Sequence, residues 1–266
     1  MKIENKFSER MCFVWVIAFF ALTTGDYFEN QNAMLLAALQ RGSNAEEFTN
    51  NVGYAFLALI PACAFLHKRI LLQYFALGYC MLFLMMGMKR GAMLIGAICL
   101  FLFLWNSQKM ANLKIKFFTF VLSAILCFVG YKFIDWQMNE SLYFQKRIEN
   151  TLDGNSSGRD QIYTTMFNYY WNETTPIQFI FGSGANATLK VSKHYAHNDW
   201  LEILVNQGLL GGAIYMFFWL CWLKDCTSKT NTRQARMILN LLFVACFIKT
   251  FFSMSYGDMS MPLTFS

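Results

Sequence analysis

Two histidines three residues apart stand in the run His194-Tyr195-Ala196-His197-Asn198-Asp199-Trp200-Leu201-Glu202. An imidazole has a reference pKa of about 6.5 and is largely neutral near pH 7, so His197 has the right chemistry to take a proton from a hydroxyl. Asp199 followed three residues later by Glu202 has the spacing of a capping box and predicts a helix starting near Trp200. A helix start carries unpaired backbone N–H groups and the positive end of the dipole, a setting that suits a phosphate. His194 and His197 also have a spacing that a metal accepts, although the sequence fixes no third ligand beside them.

Eleven residues after His197 comes Gly208, followed by Gly211 and Gly212. In a straight helix eleven residues are about three turns, roughly 16 Å, which predicts Gly208 deep on nearly the face that His197 tops. Gly208 and Gly212 form a Gly-x-x-x-Gly pair, whose ordinary use is close helix packing in lipid. Two arginines are the other candidates. Arg90 follows Lys89, and Arg159 lies in Gly158-Arg159-Asp160. A guanidinium stays charged and binds phosphate bidentately, which suits neutralising a phosphate leaving group. The plainer readings are a snorkelling charge for Arg90 and a solvated loop charge for Arg159. Gly182-Ser183-Gly184 reads as a turn, with a phosphate cradle as the rarer use.

The chain that must position these residues has 266 residues, 56% of them hydrophobic, 18% aromatic and only 14% charged. That composition excludes an ordinary soluble enzyme and excludes disorder. The formal charge of +6 comes without a basic run, so nucleic acid is not the implied partner. The basic residues instead punctuate seven apolar segments, predicted at 11–24, 52–66, 70–88, 91–105, 117–134, 203–223 and 237–254. The fold class expected is therefore all-α, a polytopic transmembrane helix bundle. Lys249 falls inside the last segment, and a charge in a membrane span is a functional candidate.

Orientation follows from the short connections. With the N-terminus in the cytoplasm, Lys2, Lys6, Arg10, Lys68, Arg69, Lys109, Lys114, Lys116, Lys224, Lys229, Arg233 and Arg236 lie inside, against Arg41, Lys89 and Arg90 outside. Twelve against three follows the positive-inside rule. Residues 1–134 are then the N-terminal transmembrane helices, 135–199 a large external loop, 200–256 the C-terminal helices and 257–266 a tail. Within the loop, Ser156, Ser157 and Gly158 read as turn or cap residues. Ile162, Met166, Tyr169 and Tyr170 then recur at helical spacing, predicting an amphipathic helix at the membrane interface that Pro176 ends. All eight cysteines fall in the apolar segments or on the inner side, which leaves the loop without a disulfide framework.

The spacing His197-Asn198, nine residues, Gly208, two residues, Gly211 resembles the signature of the bacterial O-antigen ligase family, which groups with the O-antigen polymerases. Met88-Lys89-Arg90-Gly91-Ala92 resembles the family's Ser-Arg-Gly step at an outer helix end, with Lys89 in place of Ser. Gly158-Arg159-Asp160, an aromatic helix and Phe181-Gly182-Ser183-Gly184 resemble its loop pattern of Arg, helix and Gly-x-Gly. The likeness covers about residues 85–256. It departs at Gly212-Ala213, where the family carries a Thr pair after its second glycine.

The resemblance implies a metal-independent, cofactor-free glycosyltransferase of the bacterial inner membrane, with residues 135–199 in the periplasm. Such an enzyme moves a glycan from undecaprenyl pyrophosphate to a lipid A-core hydroxyl, or, in a polymerase, to another lipid-linked glycan. In that reading His197, Arg159 and Arg90 are catalytic, and Asn198, His194, Lys89, Gly182 and Gly184 line the substrate. Gly208, Gly211 and Gly212 are the structural part of the motif. A reading of another class is a non-catalytic transporter or assembly partner, for which Lys249 and the glycine-rich helix are the relevant features.

Overall fold

A computed structural model describes residues 2–41, 50–110, 113–152 and 158–253. Eleven α-helices account for most of them: α1 (Lys2–Arg41), α2 (Ala55–Ala62), α3 (Ile70–Met86), α4 (Arg90–Met110), α5 (Leu113–Glu140), α6 (Leu142–Leu152), α7 (Arg159–Asn168), α8 (Pro176–Phe181), α9 (Ala187–Ser192), α10 (Asp199–Thr227) and α11 (Arg233–Phe252). Among the described residues, five stretches are long and apolar enough to cross a membrane: Met11–Gln40, Arg90–Gln108, Ile115–Glu140, Asp199–Thr227 and Arg233–Phe251. Asn51–Leu66 and Ile70–Met86 are apolar but shorter. The protein is a polytopic helical membrane bundle, and the described residues of the seven predicted apolar segments are helical apart from the turn at 87–88, a break at Gly208 and a bend at Ser253; residue 254 lies outside the described residues.

The bounds differ where polar residues were read as stops. The first segment was expected to close at residue 24, yet α1 runs on through Asp26, Glu29 and Asn30 to Arg41. Its buried residues Val16, Thr23 and Tyr27 recur seven and four positions apart, so one face stays packed while the acids point away. Residues 52–66 are α2 flanked by two short 3₁₀ turns, Asn51–Tyr54 and Cys63–Leu66. Pro61 lies inside α2, where it lacks an N–H to donate.

The chain divides into two compact units, Met1–Glu149 with Asn231–Ala245, and Asn150–Thr230 with Cys246–Ser266. In the first, Phe56 stacks on Phe83 with ring centroids 4.7 Å apart, and Tyr27 meets Phe83 edge-on at 4.9 Å. Buried Asn50 ties three pieces of it together. Its Nδ2 donates to the Tyr27 carbonyl at 3.0 Å, its Oδ1 accepts from Val52 N at 2.9 Å, and its backbone N donates to the Gly87 carbonyl at 2.9 Å. The turn from α3 to α4 is thereby fixed, with Met88 at φ 53°.

The second unit holds most of the segment read as an external connection, and that segment is largely helical. Ser156 and Ser157 lie outside the described residues. The aromatic helix is α7, continued by a π-helical turn at Tyr169–Glu173. It ends before Thr174, and Pro176 begins the next helix instead of stopping this one. Thr175 caps α8 in a capping box with Gln178, and proline at the first helical position gives up an N–H that had no partner anyway.

Candidate active site around the start of helix α10

Helix α10 opens on Asn198, whose Oδ1 accepts from Trp200 N at 3.0 Å and Leu201 N at 3.3 Å. The cap is therefore Asn198, and the expected box between Asp199 and Glu202 does not form. Both acids turn inward and are fully buried. Asp199 accepts the Tyr215 hydroxyl at 2.8 Å. Glu202 Oε1 accepts the Ala196 backbone N–H at 2.5 Å, and its Oε2 accepts from Thr188 Oγ1 at 2.7 Å and from Asn206 Nδ2 at 3.3 Å. Asn206 Oδ1 in turn accepts Thr188 N at 3.3 Å. A carboxylate is costly to bury unless it is hydrogen-bonded, and here it is used to hold the 188–196 segment against α10.

His197 follows directly on that anchored backbone. Its side chain is exposed and its φ is 51°, the left-handed region that non-glycine residues seldom occupy. Such a conformation costs on the order of 1 kcal/mol or more and persists only where neighbours over-determine it, a condition met between buried Ala196 and the Asn198 cap. His194 is also exposed, and its backbone N donates to Ser192 Oγ at 3.3 Å. Among the described residues, no group of three or more His, Cys, Asp or Glu side chains is placed to hold a metal.

The glycine geometry differs from the expectation. α10 is not straight: Gly208 sits at φ 67°, ψ −166°, outside the helical region. Asp199 and Tyr215 are sixteen residues apart, about 24 Å along a straight helix, yet they share a hydrogen bond. The break at Gly208 folds the helix back far enough for the two to meet, so Gly208 does not lie under His197 on a continuous face. It frees the carbonyls of Val205 and Asn206, which accept Ser183 N at 2.9 Å and Gly184 N at 3.0 Å. A methyl at Gly208 would collide with the Ile180 carbonyl and Gly182 N, and one at Gly182 with the Asn206 carbonyl. Gly182-Ser183-Gly184 and Gly208 are thus two halves of one backbone contact, and Tyr169 hydroxyl lies 3.0 Å from Ser183 Oγ.

Arg159 is the first residue of α7, after Gly158 at φ 82°, and is half-buried. Met166 and Tyr170 from that helix and its π turn pack with Ala187, Ala196 and Val205 in one small core. Arg159 and His197 therefore hang on elements tied to the same packing cluster. Arg90 is the first residue of α4 and Lys89 precedes it, both half-buried in the first unit. Lys249 is buried in the second unit beside Thr250, whose Oγ1 accepts from Trp200 Nε1 at 3.0 Å.

Thr188, Asn206 and Tyr215 are not among the residues expected from the sequence. A signal for Asn206 was present: Asp199, Glu202 and Asn206 recur at three and four residues, one polar stripe inside an apolar helix. For Thr188 and Tyr215 there was none: Thr188 meets Glu202 and Asn206 only through the packing of α9 on α10, and Tyr215 meets Asp199 only across the helix break.

The O-antigen ligase family model matches residues 75–216, just over half of the chain, and the protein belongs to that family. The matched stretch contains Arg90, Arg159, His197 and Gly208–Gly212 and leaves Lys249 outside. Neither a curated protein nor a solved structure matches the chain. Family membership gives the protein an O-antigen ligase- or polymerase-like role in polysaccharide assembly, with lipid-linked glycans as the substrates.

Proposed function

We propose that the protein is an inner-membrane glycosyltransferase of the ligase type, moving a glycan from undecaprenyl pyrophosphate to a lipid A-core hydroxyl in the periplasm. The observation that carries this reading is His197: an exposed imidazole in a left-handed conformation, held between buried Ala196 and the Asn198 cap. Strained, exposed and anchored residues are where chemistry is found more often than packing. In the reaction, His197 takes the proton of the acceptor hydroxyl as its oxygen attacks the anomeric carbon. The bond from that carbon to the pyrophosphate oxygen breaks, and undecaprenyl pyrophosphate leaves with the electron pair.

Arg159 and Arg90 are the cations assigned to the leaving pyrophosphate, with Lys89, His194 and Asn198 contributing to substrate binding. Gly182 and Gly184 act through the backbone contact with α10. No step of this scheme requires a metal. The orientation with the N-terminus in the cytoplasm and 135–199 in the periplasm rests on the twelve-to-three distribution of basic residues.

Lipopolysaccharide banding in a strain lacking the gene tests the reading. Uncapped core with lipid-linked polymer accumulating is the expected pattern. Core capped with single repeats would mark a polymerase and overturn the ligase assignment.

A further inference from the structure

In the first unit, α1 and α3 run in the same direction, and three pairs set their register. The Arg69 guanidinium lies 4.1 Å from the Phe13 ring centroid, the Phe20 and Tyr79 rings are 5.8 Å apart, and the Thr24 and Tyr79 hydroxyls are 2.8 Å apart. Between the first pair and the other two the helices part. They leave a cavity of about 200 Å³ walled by Val16, Ile17 and Phe20 of α1 and by Leu72, Phe75 and Ala76 of α3, with Tyr79 at its far end. The cavity is open to the outside, since Ile17 and Phe75 are 51% and 70% exposed. Its α1 wall lies within Met11–Gln40, the stretch able to cross a membrane, so it faces hydrocarbon and not water.

We infer that this groove holds one acyl chain of an anionic glycerophospholipid whose phosphate sits on Arg69. Size and depth both fit a single chain. A dry apolar cavity of about 150 Å³ takes a benzene ring, so this one takes several methylenes. From Arg69 to Tyr79 is ten helical residues, about 15 Å, and one leaflet of a hydrocarbon core of about 30 Å has that same depth.

Charge selects the head group. Arg69 is exposed at the mouth of the groove, one face of its guanidinium resting on Phe13, and among the described residues no carboxylate pairs with it. Lys68 precedes it, and the sequence carries no acid between Glu47 and Asp135. A guanidinium held on a ring keeps its outer donors for an oxyanion, and phosphate accepts from two of them at once. The seventeen residues of α3, about 25 Å of helix, separate Arg69 from the turn that leads to Arg90. A phosphate at Arg69 is therefore not the pyrophosphate assigned to Arg90.

The test is photolabelling of the full chain in phosphatidylcholine vesicles with a trace of phosphatidylglycerol carrying a diazirine midway along one acyl chain. Label mapped by mass spectrometry should fall on residues 16–20 and 72–79, several-fold above that from a diazirine phosphatidylcholine. Arg69→Gln should lower it about fivefold, the effect of one basic residue at an anionic surface. Ile17→Trp, at an exposed position that accepts a larger ring, fills the groove and should remove the label with Arg69 still in place. Equal labelling by the two lipids, or labelling that either substitution leaves unchanged, would overturn the inference. So would undecaprenyl phosphate displacing the probe at a lower concentration than unlabelled phosphatidylglycerol does, because the occupant would then be a polyprenyl chain.

Discussion

Glu202 Oε1 accepts the Ala196 backbone N–H at 2.5 Å, so a carboxylate buried in α10 fixes the chain one residue before His197. The same carboxylate holds Thr188 and Asn206. Glu202→Ala strands three buried donors, and the expected loss is about 2–4 kcal/mol of stability, read by thermal unfolding of the purified protein. Glu202→Gln keeps the volume but turns an NH₂ toward donors, so it should lie between the wild type and the alanine variant.

His197→Gly relieves a positive φ. It should leave stability unchanged or raise it by about 0.5–1 kcal/mol while glycan transfer is lost. An equal fall in stability and transfer would mean that the side chain is structural. Asn198→Ala makes the contrasting case: it removes the cap of α10 and should cost about 1 kcal/mol by the same unfolding assay.

Gly208→Ala places a methyl against the Ile180 and Gly182 backbone at φ 67°, where neither side can yield cheaply. The expected cost is at least about 2 kcal/mol, seen as a lower unfolding temperature and faster proteolysis within 176–184. Gly212→Ala brings its methyl to 3.3 Å from Leu204 Cδ2, the end of a flexible side chain, and should cost under about 1 kcal/mol.

Burial pushes the Tyr170 phenol up from its ordinary value, and its hydroxyl donates to the Phe179 carbonyl at 2.9 Å. A folded group with a raised pKa keeps its proton where the unfolded one has lost it. Its stabilising contribution is therefore complete below about pH 10 and lost as pH rises through the folded value. Unfolding followed across that alkaline range should lose stability less steeply in Tyr170→Phe than in the wild type.

Much of the bundle was legible because apolar runs and the basic residues between them report membrane spans directly. Helix ends were not: α1 continues past Asp26 and Glu29, because acids on an outward face do not interrupt backbone hydrogen bonds. Pro176 was read as a stop and is a start, since proline fits both roles and only the Thr175–Gln178 pairing distinguishes them. At the site, the His197-Asn198 pair could be found by residue type. The inward turn of Asp199 and Glu202 could not, because it depends on Thr188 and on a break at Gly208 whose ordinary reading was packing.

His197 as the base and Arg159 as a phosphate partner are the centre of the proposed function. The most direct measurement is lipopolysaccharide banding in a strain lacking the gene, complemented with His197→Ala or Arg159→Ala and with membrane levels of each variant checked. Wild-type membrane levels with uncapped core are expected for both variants. Normal capping by both would rule out these roles for His197 and Arg159.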